Sequence, residues 1–235
     1  MTVYFVTGTD TDAGKTLAAS ALLYAARQLP LTTLGLKPIA SGSSITPEGL
    51  RNSDALSLQA QSTLPVCYAT VNPWAFSPAI APHLAASEAG QHISVSNVVA
   101  ALTATLAENP RDLTLIEGAG GWRVPLNTCE DFSALPHAMK LPVILVVGLK
   151  LGCLNHARLT AEAISNDGLA LAGWIGSVVD PAFSTEQARF HANIERLKNA
   201  LVAPCLGVIP HLADADAAQA HGYLSLSALL DDHSL

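Results

Sequence analysis

A nine-residue segment near the start constrains this chain more than any other part of its sequence. Residues 8–16 read Gly-Thr-Asp-Thr-Asp-Ala-Gly-Lys-Thr and lie between an apolar run at residues 3–7 and a stretch of helical pattern that starts at Lys15. A strand, a glycine-bearing turn and a helix in this order can hold phosphate, because backbone amides of the turn and of the helix N-terminus point at its oxygens. The segment therefore predicts a loop that binds a nucleoside triphosphate.

The last residues of this phosphate loop supply the groups that a triphosphate and its metal need. Lys15 should reach the β and γ phosphates, and the hydroxyl of Thr16 is placed to bind Mg²⁺. The usual pattern, Gly-x-x-x-x-Gly-Lys-Thr, would put its first glycine at position 9. This chain has Thr9 there, and its glycine stands one residue earlier, at Gly8.

Short apolar runs alternate with longer stretches of helical pattern along the chain. Strands are predicted at residues 3–7, 34–38, 113–117, 143–147, 173–179 and 205–209. Helices are predicted at residues 15–28, 95–108, 155–167 and 185–201. Runs that are apolar on both faces are typical of parallel strands buried between helices. We therefore expect a single α/β domain over residues 1–235, with a mostly parallel sheet flanked by helices as in P-loop NTPases.

Residues 41–90 fit this alternation least well. They contain prolines at positions 47, 65, 73, 78 and 82, and they follow the strand predicted at residues 34–38. In sheets of this kind, ligands bind beyond the carboxyl ends of the strands. We therefore expect this excursion to build part of the site.

The composition argues against several kinds of function. The chain has 12 basic and 19 acidic residues and a net charge of −7, so we expect no nucleic-acid partner. Its four cysteines are scattered, which argues against a zinc site or a disulfide scaffold and favours buried, reduced thiols. The most apolar run, residues 141–149, is too short to cross a membrane, and no signal peptide is visible. We expect a cytoplasmic protein with no membrane partner.

Three charged residues outside the loop are candidates for the site. Glu117 ends an apolar strand and precedes a glycine-rich segment, so it could bind Mg²⁺ where a phosphate can approach. Asp54 could bind the same metal, or residues 51–54 could cap a helix instead. Lys37 closes the second predicted strand and could neutralise a phosphoryl group in transfer, although a lone lysine is also common on a solvated surface.

Several ordered segments together resemble dethiobiotin synthetases. Besides the phosphate loop they are Lys37-Pro38, Arg51-Asn52-Ser53-Asp54-Ala55, Ala69-Thr70-Val71-Asn72-Pro73, Glu117-Gly118-Ala119-Gly120-Gly121 and Lys150-Leu151-Gly152-Cys153-Leu154-Asn155-His156. The resemblance runs from the first strand to Ile209-Pro210 and thins after it.

The resemblance implies an ATP-dependent ligase of biotin biosynthesis. Enzymes of this family convert 7,8-diaminononanoate, CO₂ and ATP into dethiobiotin, ADP and phosphate. One amine takes up CO₂ as a carbamate, ATP phosphorylates the carbamate, and the second amine closes the ureido ring. An anion that attacks the γ phosphate needs positive charge nearby, which Lys15, Lys37 and Mg²⁺ would supply. The resemblance also implies a homodimer whose sites are shared between subunits.

Where motifs match, the resemblance also implies roles for individual residues. The metal ligands would be Thr16, Asp54 and Glu117, and the catalytic residues Lys37, Lys15 and Thr11. ATP, or another nucleoside triphosphate, would contact Asp12, Ala13, Gly14, Lys15, Thr16, Asp54, Glu117, Gly118, Ala119, Gly120, Ser177, Val178, Pro210, His211 and Leu212. The substrate would contact Thr11, Lys37, Ser41, Leu151, Gly152, Cys153, Leu154, Asn155 and Phe190. The amides of residues 151–155 would hold its carboxylate, and Phe190 could equally be a core residue.

The sequence departs from the family pattern at two positions, and other functions are possible for its phosphate loop. Ser177 stands where the family commonly has an asparagine that reads adenine, which leaves the preference for ATP over CTP or other triphosphates open. Asp12 replaces a glutamate that is frequent in the family. The main alternative is a P-loop ATPase switch of the partitioning type, but such proteins carry a second lysine where this chain has Asp10. A cobyrinate synthase shares the loop but would need an additional glutaminase domain.

Overall fold

The centre of the molecule is a six-stranded sheet whose neighbouring strands all run parallel. The computed structural model describes residues 1–214 and 216–230, so the last residues of the predicted domain, 231–235, lie outside the described residues. The strands are β1 (Thr2–Gly8), β2 (Thr33–Leu36), β3 (Ile39–Ala40), β4 (Ser44–Thr46), β5 (Gly49–Arg51), β6 (Trp74–Ala75), β7 (Leu113–Glu117), β8 (Val143–Leu149), β9 (Leu171–Val178) and β10 (Cys205–Ile209). The order in the sheet is β10-β9-β8-β1-β7-β2, which places the end of β1 in the middle.

Helices cover this sheet. They are α1 (Lys15–Arg27), α2 (Ser53–Ala60), α3 (Tyr68–Val71), α4 (Pro82–Glu88), α5 (Val95–Glu108), α6 (Ala134–Met139), α7 (Cys153–Asn166), α8 (Gln187–Ala200) and α9 (Ala217–Ala220). Each predicted strand and helix is present, with small shifts at the ends, so the predicted α/β fold is confirmed. No described helix has the length and hydropathy that a membrane crossing requires.

Successive side chains of β1 point to opposite faces of the sheet, and each face packs against its own layer of helices. The ring of Phe5 packs edge-on near Trp122 on one face, in a cluster that includes residues of α5. Tyr4 and Val6 belong to a second cluster, which includes residues of α1. Both β7 and β8 are buried at every position, as expected for parallel strands with helices on both faces. Burial thus fixes the central strands, and their carboxyl ends meet at one edge.

The second sheet strand ends earlier than predicted. β2 stops at Leu36, whereas the sequence predicts a strand to residue 38. The amide of Lys37 donates to Val71 O at 3.0 Å, and Pro38 has no amide for a ladder hydrogen bond. Lys37 therefore lies just beyond the sheet, and its backbone is held by the chain near α3 instead of by β7.

Residues 41–90 form an excursion of short elements, as predicted. β3, just before the excursion, pairs with β6 inside it, and β4 and β5 form an antiparallel hairpin. Helices α2 and α3 lie between β5 and β6 along the chain, and α4 follows β6. The side chain of Asn52 caps α2 by accepting hydrogen bonds from the amides of Asp54 and Ala55. Because Asn52 is the cap, the Asp54 carboxylate can make other contacts.

The prediction of buried thiols is wrong for two of the four cysteines. Cys67 and Cys129 are exposed, Cys153 is buried and Cys205 is half-buried, and all four are free. Cys67 precedes the one-turn helix α3, and the amide of Cys129 donates to a side chain within its own turn. In such short segments no extended apolar face directs a side chain inward.

Candidate active site

The phosphate loop leaves the middle of the sheet and turns tightly. A Cβ on Gly8, the last residue of β1, would lie 3.0 Å from Asp10 O and 3.1 Å from Lys15 Cδ. Thr9 instead faces β8, where its hydroxyl oxygen accepts a hydrogen bond from the amide of Gly148 at 3.2 Å. The close approach in this loop therefore falls at position 8, which explains why its first glycine stands one residue before the usual place.

Two positive φ angles shape the rest of the loop. Asp12 has a φ of 56° and Gly14 a φ of 87°, and aspartate is one of the few residue types that tolerate this region. A Cβ on Gly14 would lie 2.9 Å from the Cβ of Ser177, so Ser177 packs directly against the loop. Turns that enter the left-handed region can point successive amides into a concavity that suits an anion.

Lys15 begins α1 and is almost fully buried. Its Nζ donates to the carbonyl oxygen of Asp10, 2.9 Å away across the loop. Burial lowers the pKa of Lys15 to about 8, although the negative charge of Glu117 acts in the opposite direction. A bound triphosphate would add negative charge and so favour the protonated lysine.

Four residues from separate segments form what we call the charged cluster: Thr16, Lys37, Asp54 and Glu117. Lys37 Nζ lies 2.6 Å from Glu117 Oε1 and 2.9 Å from Asp54 Oδ2. The hydroxyl of Thr16 donates to the same Glu117 oxygen at 2.9 Å. The structure therefore brings together, at the carboxyl edge of the sheet, the residues that the sequence identified one by one.

The charges in this cluster support one another. Burial alone would lower the pKa of Lys37, but Glu117 and Asp54 raise it above its ordinary value. Burial alone would raise the pKa of Asp54, but Lys37 holds it below the ordinary value. Near neutral pH, Lys37 is therefore positive and Asp54 negative.

The oxygen atoms of the charged cluster fit a magnesium ion. Glu117 Oε2 is buried and has no hydrogen-bond partner among the described residues. A buried carboxylate oxygen is costly unless a cation or a donor reaches it. Thr16 and Asp54 lie alongside, and Mg²⁺ prefers such hard oxygen ligands, with phosphates and water completing its shell. The cluster offers two carboxylates and a hydroxyl, and no part of the described chain brings together three His, Cys, Asp or Glu side chains that could hold a metal ion.

The glycine-rich segment after β7 lies against the phosphate loop. A Cβ on Gly121 would lie 3.6 Å from Gly8 O. Gly120 has a φ of 60°, and a Cβ there would lie 3.5 Å from Thr11 Oγ1. Gly120 and Gly121 are thus close to the loop, whereas a Cβ on Gly118 would meet Phe5 and Val6 of β1.

The turn after β8 also borders the phosphate loop. Lys150 Nζ lies 3.3 Å from Asp10 Oδ2. The amides of Cys153 and Asn155 donate to carbonyl oxygens of the same turn, and Leu151 is 92% exposed. Sequence reasoning assigns Lys150 no role, and its only signal is its place before the predicted substrate-binding residues 151–155.

The predicted base-binding residues follow two neighbouring strands. Ser177 and Val178 end β9, and Ser177 pairs with Ile209 at the end of β10. Pro210, His211 and Leu212 follow β10 directly. Ser177 therefore lies against the phosphate loop, and the other residues lie at the ends of β9 and β10, on the β8 side of β1.

Two predicted substrate contacts lie in different surroundings. The hydroxyl of Ser41, just after β3, is buried without a hydrogen-bond partner in the described chain. Phe190, on α8, is half-buried and packs edge-on at 6.3 Å from Phe183, in the cluster formed with α7 and β9. For Phe190 the single chain therefore shows core packing. Sequence reasoning missed the roles of Asn52, Tyr68 and Asn72, whose contacts are described below.

Comparisons with known proteins agree with this arrangement. A family model described as an AAA domain matches residues 2–219. An ATP-dependent dethiobiotin synthetase from Chromohalobacter salexigens is 60% identical over 234 residues, which cover 96% of this chain and 98% of the relative. The corresponding protein from Cellvibrio japonicus is 54% identical, with 97% of each chain covered.

Among solved structures, similar folds occur in P-loop proteins of other functions. The MinC:MinD cell division complex of Aquifex aeolicus matches with a TM-score of 0.56 at 14% identity, over 91% of this chain and 82% of that one. The signal recognition particle receptor FtsY of Elizabethkingia anophelis, in complex with GDP, matches with a TM-score of 0.54 at 14% identity, over 89% and 57%. At such low identity these likenesses concern the fold alone.

Proposed function

The chain belongs to the family of ATP-dependent dethiobiotin synthetases, the ligases that close the ureido ring in biotin biosynthesis, and on that premise we propose how its residues carry out the reaction. The substrates are 7,8-diaminononanoate, CO₂ and ATP. The observation that carries the proposal is the charged cluster, in which Lys37 lies between two carboxylates beside the end of the phosphate loop.

The phosphate loop holds the triphosphate. Amides of Asp12, Ala13 and Gly14 contact the phosphates, and Lys15 turns from Asp10 O towards the β and γ phosphates. Thr16 and the carboxylates of Asp54 and Glu117 hold Mg²⁺, which when bound neutralises charge on the phosphates. Support for this set comes from Glu117 Oε2, which is buried and accepts no hydrogen bond from any described residue.

Lys37 serves the phosphoryl transfer. Its ammonium group binds the substrate carbamate and the transferring phosphate, so that an anionic oxygen can attack the γ phosphorus without strong repulsion. The second amine then attacks the carbonyl carbon of the carbamic–phosphoric anhydride and expels phosphate. Thr11 and Ser41 contact the diamine end, and the buried, unpartnered hydroxyl of Ser41 suits such a contact.

The nucleotide base and the substrate carboxylate bind on either side of the phosphate loop. Two groups of residues surround the nucleotide. The first follows β7 and consists of Gly118, Ala119 and Gly120. The second ends β9 or follows β10 and consists of Ser177, Val178, Pro210, His211 and Leu212. Ser177 offers the base one hydroxyl, so discrimination between bases is weak.

A second copy of the chain completes the substrate site. In a homodimer, Leu151, Gly152, Cys153, Leu154 and Asn155 of one subunit bind the substrate carboxylate in the other. The 92% exposure of Leu151 supports this, because a protruding turn can reach a neighbouring molecule. In this proposal Phe190 packs near the aliphatic chain of the substrate, and the enzyme works in the cytoplasm without nucleic acid or membrane.

A product assay tests the function. The protein is incubated with diaminononanoate, bicarbonate, Mg²⁺ and ATP, and we expect dethiobiotin and an equal amount of ADP. ATP hydrolysis that does not depend on the diamine would instead favour a switch ATPase. Glu117→Gln should reduce Mg²⁺-dependent turnover, measured well below the unfolding midpoint of the variant because the buried Lys37 keeps only its contact with Asp54. Unchanged turnover at limiting Mg²⁺ would remove Glu117 from the metal site.

A further inference from the structure

A buried chain of hydrogen bonds connects three residues of the proposed site. Ser41 and Asp54 lie on different short segments of the excursion, and Lys37 lies before it, just beyond the last residue of β2. None of the three is part of a strand, although the short pairs β3–β6 and β4–β5 lie between their segments. Side chains of Asn52, Tyr68 and Asn72 add a second connection.

Asn72 holds the backbone at Lys37. Its Nδ2 donates to Lys37 O at 2.7 Å and to Trp74 O at 3.3 Å, and the residue is 3% exposed. The amide of Lys37 donates to Val71 O, the residue before Asn72. Both polar groups of the Lys37 backbone are therefore bound by one short segment, the last residue of α3 and the residue after it.

Tyr68 links this segment to α2. Its hydroxyl donates to Asn72 Oδ1 at 2.8 Å and accepts a hydrogen bond from the amide of Asn52 at 2.7 Å. Its ring lies under the guanidinium of Arg51, whose carbon is 4.3 Å from the ring centre. One hydroxyl group thus joins the segment that holds Lys37 to the residue that caps α2.

Asn52 then reaches the other two site residues. Its Oδ1 accepts from the amide of Asp54 at 3.1 Å, and its Nδ2 donates to Ser41 O at 3.2 Å. Asn52 is 4% exposed, so water competes little for these bonds. From Lys37 to Ser41 and Asp54, each step is a hydrogen bond between buried or half-buried groups.

We propose that Asn52, Tyr68 and Asn72 are positioning residues for the phosphoryl transfer that precedes ring closure, because they set Lys37 against Asp54 and Ser41. The proposal rests on the roles given above to Lys37, Asp54 and Ser41. Phosphoryl transfer depends on geometry, and a displacement of about 1 Å can cost roughly a hundredfold in rate. The hydroxyl of Tyr68 is the link whose removal changes the least volume.

Tyr68→Phe tests this link, with Tyr4→Phe as its matched control. The Tyr4 hydroxyl donates to Leu229 O at 2.7 Å in the core, so its removal costs this hydrogen bond, whereas Tyr68→Phe removes the two hydrogen bonds of a half-buried hydroxyl. Each should lower the midpoint of thermal unfolding by about 2–4 °C. Well below that midpoint, Tyr68→Phe should lower kcat for dethiobiotin formation by roughly tenfold to a hundredfold and raise the Mg²⁺ concentration for half-maximal rate. Tyr4→Phe should leave both unchanged.

A second variant tests the hydrogen bonds at the Asn52 end of this series. Asn52→Ser keeps a side-chain oxygen that can cap α2 but loses the amide group that donates to Ser41 O. It should raise KM for the diamine several-fold and change kcat less. If Tyr68→Phe does not fold, the KM of Asn52→Ser tests the positioning role instead.

The outcomes separate this proposal from the proposed function. Equal kcat in wild type, Tyr68→Phe and Tyr4→Phe, with Lys37→Met inactive, would overturn the positioning role and leave the catalytic role of Lys37 standing. Full activity in Lys37→Met would overturn the proposed function itself. An unchanged KM in Asn52→Ser would overturn the connection to Ser41.

Discussion

Replacing Lys37 by methionine should cost stability as well as activity. The Lys37 and Glu117 side chains are 7% and 1% exposed, and their charged atoms lie 2.6 Å apart. Methionine keeps most of the volume but leaves the Glu117 carboxylate buried beside an apolar group. Removal of one partner of a buried ion pair costs about 3–5 kcal/mol. Asp54, with 40% of its side chain exposed, adds little because water solvates it.

The stability loss can be measured by urea denaturation without nucleotide or Mg²⁺. We expect Lys37→Met to lower the free energy of unfolding by about 3 kcal/mol or more. Lys198→Met is the control, because its pair with Glu195 is exposed and solvated and should contribute little to stability. Dethiobiotin formation should fall by about a hundredfold or more in Lys37→Met, since a cation at the transferring phosphate is lost.

A double variant identifies the cause of the loss. Lys37→Met combined with Glu117→Gln removes the uncompensated charge, so it should recover most of the lost stability relative to Lys37→Met alone. The reasoning is refuted if Lys37→Met is destabilised no more than Lys198→Met. It is equally refuted if the double variant is less stable than Lys37→Met, because the buried charge would then not be the source of the cost.

Three further predictions concern the phosphate loop. Gly14→Ala should weaken ATP binding at least about tenfold in calorimetry, because Gly14 has a φ of 87° and an added Cβ would lie 2.9 Å from the Cβ of Ser177. Gly152→Ala is the control. Its φ of 95° is similar, but an added Cβ would meet open space, so this variant should bind ATP normally. Because the pKa of Lys15 falls from 10.5 to about 8 on folding, the unfolded chain binds more protons between these pH values. The stability of nucleotide-free wild type relative to Lys15→Met should therefore rise from pH 8 to 10, and a constant difference would contradict this. Because Ser177 cannot pair bidentately with a base, KM values for ATP, CTP and GTP should agree within about tenfold, and a stronger ATP preference would mean that another group reads adenine.

Local patterns were enough to predict most of the fold. The phosphate loop and the strand that ends at Glu117 are continuous segments whose residue types follow from their own backbone and burial. The exception is instructive. The strand predicted to residue 38 ends at Leu36, because the backbone of Lys37 bonds to Val71 and Asn72 instead of to β7.

For Asp54 the sequence left two readings open, a metal ligand or part of a helix cap. In the structure Asn52 provides the cap and Asp54 contacts Lys37, while the metal role of Asp54 stays a proposal. Nothing local distinguishes these two side chains, since both belong to residue types that cap helices well. The distinction depends on which one faces Lys37.

By itself, the sequence determined that this chain has a phosphate loop on an α/β sheet, and its ordered motifs identified the family. Only the tertiary structure decided how the site is assembled. Lys37 contacts residues 17 and 80 positions away, and Tyr68 links Asn52 to Asn72 across two short helices. The physical reason is that a motif specifies local backbone geometry and residue chemistry, whereas the distance between two charges is set by how separate segments pack.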